Sequence, residues 1–87
     1  MIRLPSVLKV MVGKESVRVR ARRLSEALEA AYEALPGLRH HLEAENGGLR
    51  PHVLVLLNDE NVPRDAIDAT RLDDGDEIWI WQAITGG

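Results

Sequence analysis

The sequence predicts one small α+β domain, in which a single main helix lies across a sheet made of a hairpin and two further strands. Three observations lead to this fold class. Two valine-rich segments, 6–12 and 16–21, surround a glycine-containing turn. Leucine and alanine then recur at helical spacing over 24–35, and two apolar segments follow at 52–58 and 78–84. The 87 residues, 45% of them hydrophobic, suffice for one hydrophobic core.

The first two segments are predicted to pair as a hairpin around Gly13-Lys14. In the first segment Lys9 is expected to face solvent, which turns Met11 outward as well. The second segment alternates cleanly between apolar residues and arginine. The residues expected to face the core are Leu8, Val10, Val12, Val17, Val19 and Ala21.

The main helix is predicted over 24–35, because alanine and glutamate favour helix and the leucines recur on one face. Ser25 is a candidate for its N-cap, and Pro36-Gly37 is predicted to end it. Leucines four residues apart indicate one more helical turn at 38–42.

The two later strands decide where the tryptophans point. If the isoleucines of IWIWQAI (78–84) face the helix, period-two alternation turns the tryptophans to the opposite face of the sheet. The preceding strand alternates in the same way, so its outward leucines lie beside them. The residues expected on this outer face are Met11, Leu54, Leu56, Trp79 and Trp81. Such an apolar patch usually marks an interface. The reverse register, with both tryptophans buried, stays open because IWIW contains no polar residue.

Composition and charge exclude several classes of protein. The net charge is -3, with nine Lys/Arg and six Asp/Glu in residues 1–50 against two and eight in residues 51–87. This balance argues against nucleic acid as the main partner. The absence of cysteine excludes disulfides, thiolate nucleophiles and zinc–cysteine sites. The first residues include no apolar stretch long enough for a signal peptide or a membrane span, so a cytoplasmic location is expected.

A local basic row is formed by Arg18, Arg20, Arg22 and Arg23. The solvated face of a strand explains a row of this kind. A docking patch for an acidic partner is the alternative.

No catalytic or metal-binding constellation is legible in the sequence. Adjacent histidines such as His40 and His41 point in different directions on a helical turn, and His52 completes no ligand set with them. The acidic run 73–77 lacks EF-hand spacing and fits a solvated turn. No serine has an evident histidine partner, and no phosphate-binding glycine loop follows a strand. The chain is therefore not expected to be an enzyme, or to bind a metal or a cofactor.

The sequence ends in ITGG, and its two last glycines need an explanation. Glycine loses the most conformational freedom on ordering, so Gly86 and Gly87 are not expected to stabilise the fold. Residues 1–83 are expected to form the globular domain, and residues 84–87 a flexible tail. On composition alone, a frayed terminus or a cloning remnant is the alternative.

The order of elements, together with PGLRHHLEAENGGLRPHV, LNDENV, LDDGDEIWI and ITGG, resembles the MoaD/ThiS family of ubiquitin-like sulfur carriers. The resemblance spans nearly the whole chain. It implies the ubiquitin-like β-grasp, a mixed sheet of about four to five strands with one main helix across one face. The connection 36–51 is more similar to the MoaD branch and the cysteine-forming carriers than to the shorter thiamine branch.

In this family the carboxylate of the last glycine is adenylated, and a sulfur donor then displaces AMP to leave a thiocarboxylate. Carried over, Gly87 is the site of adenylation and thiocarboxylate formation, and Gly86 is its required neighbour. Glycine threads a narrow activating site easily, and the tail from Ile84 onward can extend about 13 Å into one. The resemblance also implies that the outer sheet face, together with Ile84 at the root of the tail, docks the partners.

The implied partners are three. They are a ubiquitin-activating-type adenylyltransferase that uses ATP, a sulfur donor such as a cysteine desulfurase or a rhodanese, and an acceptor such as the large subunit of a molybdopterin synthase. Molybdopterin synthesis is the favoured acceptor pathway, with cysteine synthesis, thiamine synthesis and tRNA thiolation as alternatives. Two other hypotheses stay open: a ubiquitin-like modifier joined to lysines through Gly87, and a non-covalent β-grasp docking module.

Overall fold

The computed structural model describes residues 1–82, without the side chain of Val7. Five strands form one mixed sheet in the order β2-β1-β5-β3-β4. The strands are β1 (Ile2–Arg3), β2 (Ser16–Val17), β3 (Val53–Leu57), β4 (Glu60–Asn61) and β5 (Ile78–Gln82). β5 runs parallel to β1 and antiparallel to β3. The strand that carries both tryptophans is therefore the central strand of the sheet.

Three α-helices and one 3₁₀ turn accompany the sheet: α1 (Ser6–Val12), α2 (Leu24–Ala34), α3 (Leu38–Leu42) and the turn Arg64–Ala66. α2 buries its apolar stripe against the inner sheet face, as its leucine and alanine spacing predicts. The predicted extra turn at 38–42 is confirmed as α3, with both of its leucines buried. Arg23 occupies the N-cap position of α2 and no side chain caps the helix, so the predicted Ser25 cap is wrong.

One core fills the space between the helices and the inner sheet face. The sheet contributes Ile2, Val53, Val55, Ile78 and Ile80, all nearly fully buried. Each lies in register with another residue of the set on the neighbouring strand, except Val53, which pairs with Gln82. The predicted inward direction of the isoleucines in β5 is therefore confirmed.

The segment 6–12 is the helix α1, and its prediction as a strand is wrong. Pro5 precedes the helix, and Gly13 ends it in the left-handed conformation, with φ 82° and its N–H donating to the Lys9 carbonyl over 2.8 Å. Proline before a helix and glycine after it are start and stop signals that outweigh the strand preference of valine. Val10, predicted to face the core, is consequently exposed, whereas Leu8 is buried as predicted.

The predicted hairpin between 6–12 and 16–21 does not form, because its first segment is the helix α1. β2 pairs antiparallel with β1, but β1 is the dipeptide that precedes α1, and only two residues of the predicted segment 16–21 form strand. The alternation nevertheless continues beyond β2, because Val17, Val19 and Ala21 all pack against the core.

Arg64 fixes the approach to β3. Its guanidinium nitrogens donate to the carbonyl oxygens of Leu49, Arg50 and Pro51 at 2.6–2.7 Å and to that of Val53 at 3.1 Å. The planar guanidinium offers several donors in a fixed geometry, which suits a cluster of convergent carbonyl groups. This one side chain thus ties the 3₁₀ turn to the residues that lead into the outward-facing leucines.

Candidate functional site

An apolar patch lies on the outer face of the sheet, opposite the helices. The register pairs Leu54 with Trp81 and Leu56 with Trp79 across β3 and β5. Leu54 is 42% exposed and Trp81 is 49% exposed, while Leu56 and Trp79 are half-buried. Four of the five residues predicted for this face therefore lie together there, in the predicted register, and their binding of a partner stays a prediction.

The two tryptophans stack along the central strand. Their ring centroids are 6.3 Å apart, with an angle of 23° between the ring planes. Residues two apart on one strand point to the same face, which brings the rings side by side. The stack forms a stiff, broad apolar surface, because an aromatic ring has few rotatable bonds for its area.

Met11 was assigned to this patch because segment 6–12 was predicted to be a strand, and the structure does not support that reason. It lies on α1 rather than on a strand, and α1 contacts α3 on the helical side of the sheet. Met11 is exposed, at 58%. Its predicted place beside the tryptophans rested on the strand prediction, which is wrong, and its binding of a partner stays a prediction.

Arg3 borders the patch, a position that the sequence reasoning missed. Its Cζ lies 5.2 Å from the centroid of the Trp79 ring, a cation–π contact. Its Nη2 donates to Glu77 Oε1 over 3.3 Å, and Nε is buried with no acceptor among residues 1–82. β1 is only two residues long, so no periodicity in the sequence could have indicated which way Arg3 points.

A hydrogen-bonded clasp holds the two connections at one end of the patch together. Asn58 donates from Nδ2 to Asp76 Oδ1 over 2.8 Å and accepts from the Glu77 backbone N–H at Oδ1 over 2.9 Å. The Asp73 N–H donates to Asp76 Oδ2 over 2.8 Å. The Asp73 N–H and the Asn58 amide lower the pKa of the Asp76 carboxyl below its ordinary value, because both bonds favour the charged form. The clasp fixes the register of β3 against β5, and with it the Leu56–Trp79 pair.

The turn between β3 and β4, which contains Asn58 of the clasp, requires positive φ angles that Asn and Asp tolerate well. Asn58 and Asp59 have φ angles of 49° and 75° and form the two-residue connection between β3 and β4. Positive φ at both central positions matches the twist of a hairpin, and Asn and Asp accept it more readily than other residues with side chains.

The four arginines of the basic row do not all lie in the same part of the structure. Arg18, Arg20, Arg22 and Arg23 are all exposed, and within residues 1–82 none of them forms an ion pair. Arg18 and Arg20 line a groove of about 560 Å³ together with Glu77, beside Arg3. Arg23 lies instead at the start of α2, where its backbone bridges that of Arg71.

The other candidate groups stand apart from the patch. His40 and His41 are neighbours on α3, with ring centroids 5.6 Å apart. In the described part of the chain, no three His, Cys, Asp or Glu side chains come close enough to hold a metal ion. None of the helices described is long and apolar enough to span a bilayer. Ile84, Gly86 and Gly87, predicted as the root and the reactive end of the tail, lie outside the described residues.

A mixed five-stranded sheet in the order β2-β1-β5-β3-β4, with one main helix packed across one face, defines a ubiquitin-like β-grasp domain. The chain belongs to the ThiS family, whose model matches residues 8–87. The family comprises small ubiquitin-like sulfur carriers and protein modifiers, and the predicted fold and resemblance are both confirmed.

Three relatives illustrate the similarity. Small archaeal modifier protein 3 of Haloferax volcanii is 39% identical over 61 residues, which cover 70% of this chain and 62% of that protein. The chain thus spans less than two thirds of that relative's length. The crystal structure of SAMP1 from Haloferax volcanii superposes with a TM-score of 0.86 at 27% identity, over 99% of this chain and 96% of that one. A chain of the Amycolatopsis orientalis BexX/CysO complex gives a TM-score of 0.83 at 25% identity, over 99% and 97%.

Proposed function

We propose that the protein is a sulfur carrier whose Gly87 carboxylate is converted to a thiocarboxylate. The observation that carries the proposal is the ThiS family match, which runs from residue 8 through Gly87. The apolar outer face supports it, because the patch lies on β5, the strand that leads directly to the tail. In this proposal residues 1–83 are the docking body, residues 84–87 are the reactive tail, and the protein is a carrier rather than an enzyme.

The chemistry requires two displacements. A carboxylate oxygen of Gly87 attacks the α-phosphorus of ATP in the activating enzyme, and pyrophosphate leaves. A sulfide-equivalent donor then attacks the acyl carbon, and AMP leaves with the electron pair of the bond that breaks. The product is a C-terminal thiocarboxylate, in which one oxygen has been replaced by sulfur. The use of ATP supports a cytoplasmic location, and no cofactor is bound by the carrier itself.

Activation is what the protein must obtain from its partner. A carboxylate is a poor electrophile, and the adenylate is reactive towards water, so the activating site must be narrow and closed. Gly86 and Gly87 carry no Cβ and can adopt whatever backbone angles such a site imposes. The outer patch, with Trp81 as its most exposed aromatic ring, would hold the globule at the entrance.

For the acceptor we propose the large subunit of a molybdopterin synthase-like pair, on the length of the connection 36–51. A ubiquitin-like protein modifier is the second candidate function. The 39% identity to a protein named as a modifier favours it. The two functions share the activation step and differ in whether a sulfur donor or a lysine amine attacks the adenylate.

Intact-mass spectrometry tests the carrier chemistry. The protein is incubated with ATP, its adenylyltransferase and sodium sulfide. The expected result is a mass gain equal to the replacement of one oxygen by sulfur, localised by fragmentation to Gly87. A variant that lacks Gly87 is expected to show no gain, and Gly48→Ala, a change in an exposed loop of the globule, is the matched control that keeps it. An unchanged wild-type mass, with an enzyme shown to be active on another carrier, refutes the proposal.

The second candidate has its own readout. Lysates probed with an antibody against the protein would show bands of higher mass that disappear when Gly87 is deleted or the adenylyltransferase is absent. A single band at the mass of the free protein excludes conjugation to proteins.

A further inference from the structure

We propose that Arg18 and Arg20 form a basic rim beside the apolar patch, and that this rim recognises carboxylates on the activating enzyme. The inference rests on the proposed function, because it names a further recognition element for the same partner. Every acceptor pathway begins with adenylation, so the activating enzyme is the partner required in each case.

The position of the two arginines follows from the register of the sheet edge. Ser16 pairs with Arg3, whose guanidinium lies on Trp79 at the outer face. Val17 pairs with the buried Ile2 on the inner face. The alternation continues past β2, since Val19 and Ala21 pack against the core while Arg18 and Arg20 are exposed. The two arginines therefore project to the same side of the sheet as the patch.

A groove lies between the rim and the residues that precede β5. It measures about 560 Å³, and its lining includes Arg18, Arg20, Asp76 and Glu77. Glu77 binds Arg3 through its carboxylate, and Arg3 in turn covers Trp79. A partner that covers Trp79 and Arg3 would therefore meet the arginines just beyond the end of β2.

The two acidic side chains of this groove already have partners within the described residues. The carboxylates of Asp76 and Glu77 already accept hydrogen bonds from Asn58, from the Asp73 N–H and from Arg3. Arg18 and Arg20 form no ion pair among residues 1–82. Guanidinium groups that are exposed, always charged and unpaired are suited to take carboxylates from a partner in a bidentate manner.

The positive charge of the rim contrasts with the negative net charge of the whole protein. The chain has a net charge of -3, so an acidic partner would be repelled by most orientations of the protein. An acidic patch on the partner would be attracted to the rim, which favours the orientation that brings the tryptophans to the partner. Charges at the edge of an interface act mainly on the association rate and on orientation.

The test compares R18E, R20E and the double variant R18E/R20E with R71E. Arg71 is exposed, and its backbone bridges Arg23 at the start of α2, away from the patch. Pyrophosphate release by the adenylyltransferase is measured against carrier concentration at low and at high ionic strength. The double variant is expected to raise the KM for the carrier about tenfold at low ionic strength, with kcat unchanged, and the difference is expected to shrink as salt screens the charges. R71E is expected to match wild type.

Three outcomes overturn the proposal: equal KM values for R18E/R20E and R71E, a defect that does not depend on salt, or a defect confined to transfer to the acceptor. If wild-type protein is not adenylated at all, the proposed function fails, and direct binding to the same enzyme by interferometry decides the rim separately. Weaker binding of R18E/R20E than of R71E then supports the rim. Equal binding, or no binding of wild type, refutes it.

Discussion

Trp81→Ala is expected to weaken partner binding more than it weakens the fold. Trp81 is 49% exposed on the outer face, and Leu54 lies opposite it on β3. A tryptophan side chain offers on the order of 200 Å² of surface, so about 100 Å² remains for a partner to cover. At about 25 cal/mol per Å², covering that area is worth about 2.5 kcal/mol, or about 60-fold in affinity.

Ile80→Ala is the matched comparison on the same strand. Ile80 is 1% exposed and pairs with Val55 inside the core. Its truncation leaves a cavity and is expected to lower the free energy of unfolding by about 2–5 kcal/mol. Trp81→Ala is expected to lower it by about 1–2 kcal/mol, because only half of the ring is buried and areas taken from an extended chain overstate burial.

Two measurements separate these effects. Urea unfolding followed by circular dichroism gives the stability of each variant, and calorimetric titration with the adenylyltransferase gives its affinity. The reasoning is refuted if Trp81→Ala destabilises the fold as much as Ile80→Ala does. It is equally refuted if Trp81→Ala binds the adenylyltransferase as tightly as wild type.

Three further predictions concern residues outside the patch. Arg64→Ala is expected to lower the free energy of unfolding by about 2 kcal/mol, because four carbonyl oxygens lose a charged donor. Arg64→Lys should restore less than half of that loss, since an ammonium lacks the planar fork, and an unchanged urea midpoint in Arg64→Ala would contradict the argument. Burial, with Glu43 and Glu29 nearby, raises the pKa of Tyr32 from 10.0 to about 12. Tyr32 is the only tyrosine, so phenolate absorbance should titrate near that pH in the folded protein. The free energy of unfolding should fall as pH rises above 10.0, because only the unfolded chain then releases the proton. Titration of the folded protein near pH 10.0 would contradict this prediction. The lowered pKa of Asp76 contributes stability that is present above its ordinary value of 3.8 and is lost as pH falls below it. Asp76→Asn should therefore flatten the acid limb of unfolding free energy against pH, and an unaltered limb would show that the clasp does not contribute.

The elements that the sequence predicts correctly are those with a long or unambiguous pattern. The helix at 24–35 has three turns of leucine and alanine on one face, and α2 matches it to within a residue. The strands at 52–58 and 78–84 are apolar segments bounded by turn residues, and β3 and β5 lie within them. The outer position of the tryptophans follows from alternation once Ile78 and Ile80 are inside.

The segment 6–12 shows where a short pattern is insufficient. Seven residues with three valines fit a strand by composition and a two-turn helix by their boundaries, Pro5 and Gly13. The true first strand has two residues, too few for any periodicity. Its place in the sheet is set by tertiary pairing with β5 and β2, which local sequence does not encode.

The hydrogen bonds of Arg64 and Asn58 could not be predicted from the sequence, for a different reason. Arg64 meets the carbonyls of residues 11–15 positions earlier, and Asn58 meets Asp76 and Glu77 18 and 19 positions later. Such contacts depend on how the loops come together after the sheet has formed. The composition of a loop indicates a turn and leaves its distant partner undetermined.

The central position of β5 links the fold to the proposed function. Its even-numbered residues Ile78 and Ile80 complete the core, and its odd-numbered residues Trp79 and Trp81 form the patch. Hydrogen bonding to β1 on one side and β3 on the other holds this strand in place, so the patch is presented on a rigid support. In the sequence, β5 is followed directly by residues 83–87, so under the proposed function docking at the tryptophans would bring Gly87 towards the partner's site. A substitution in β5 should therefore act on stability or on activation according to the parity of its position, and this separation is what the pair Ile80→Ala and Trp81→Ala measures.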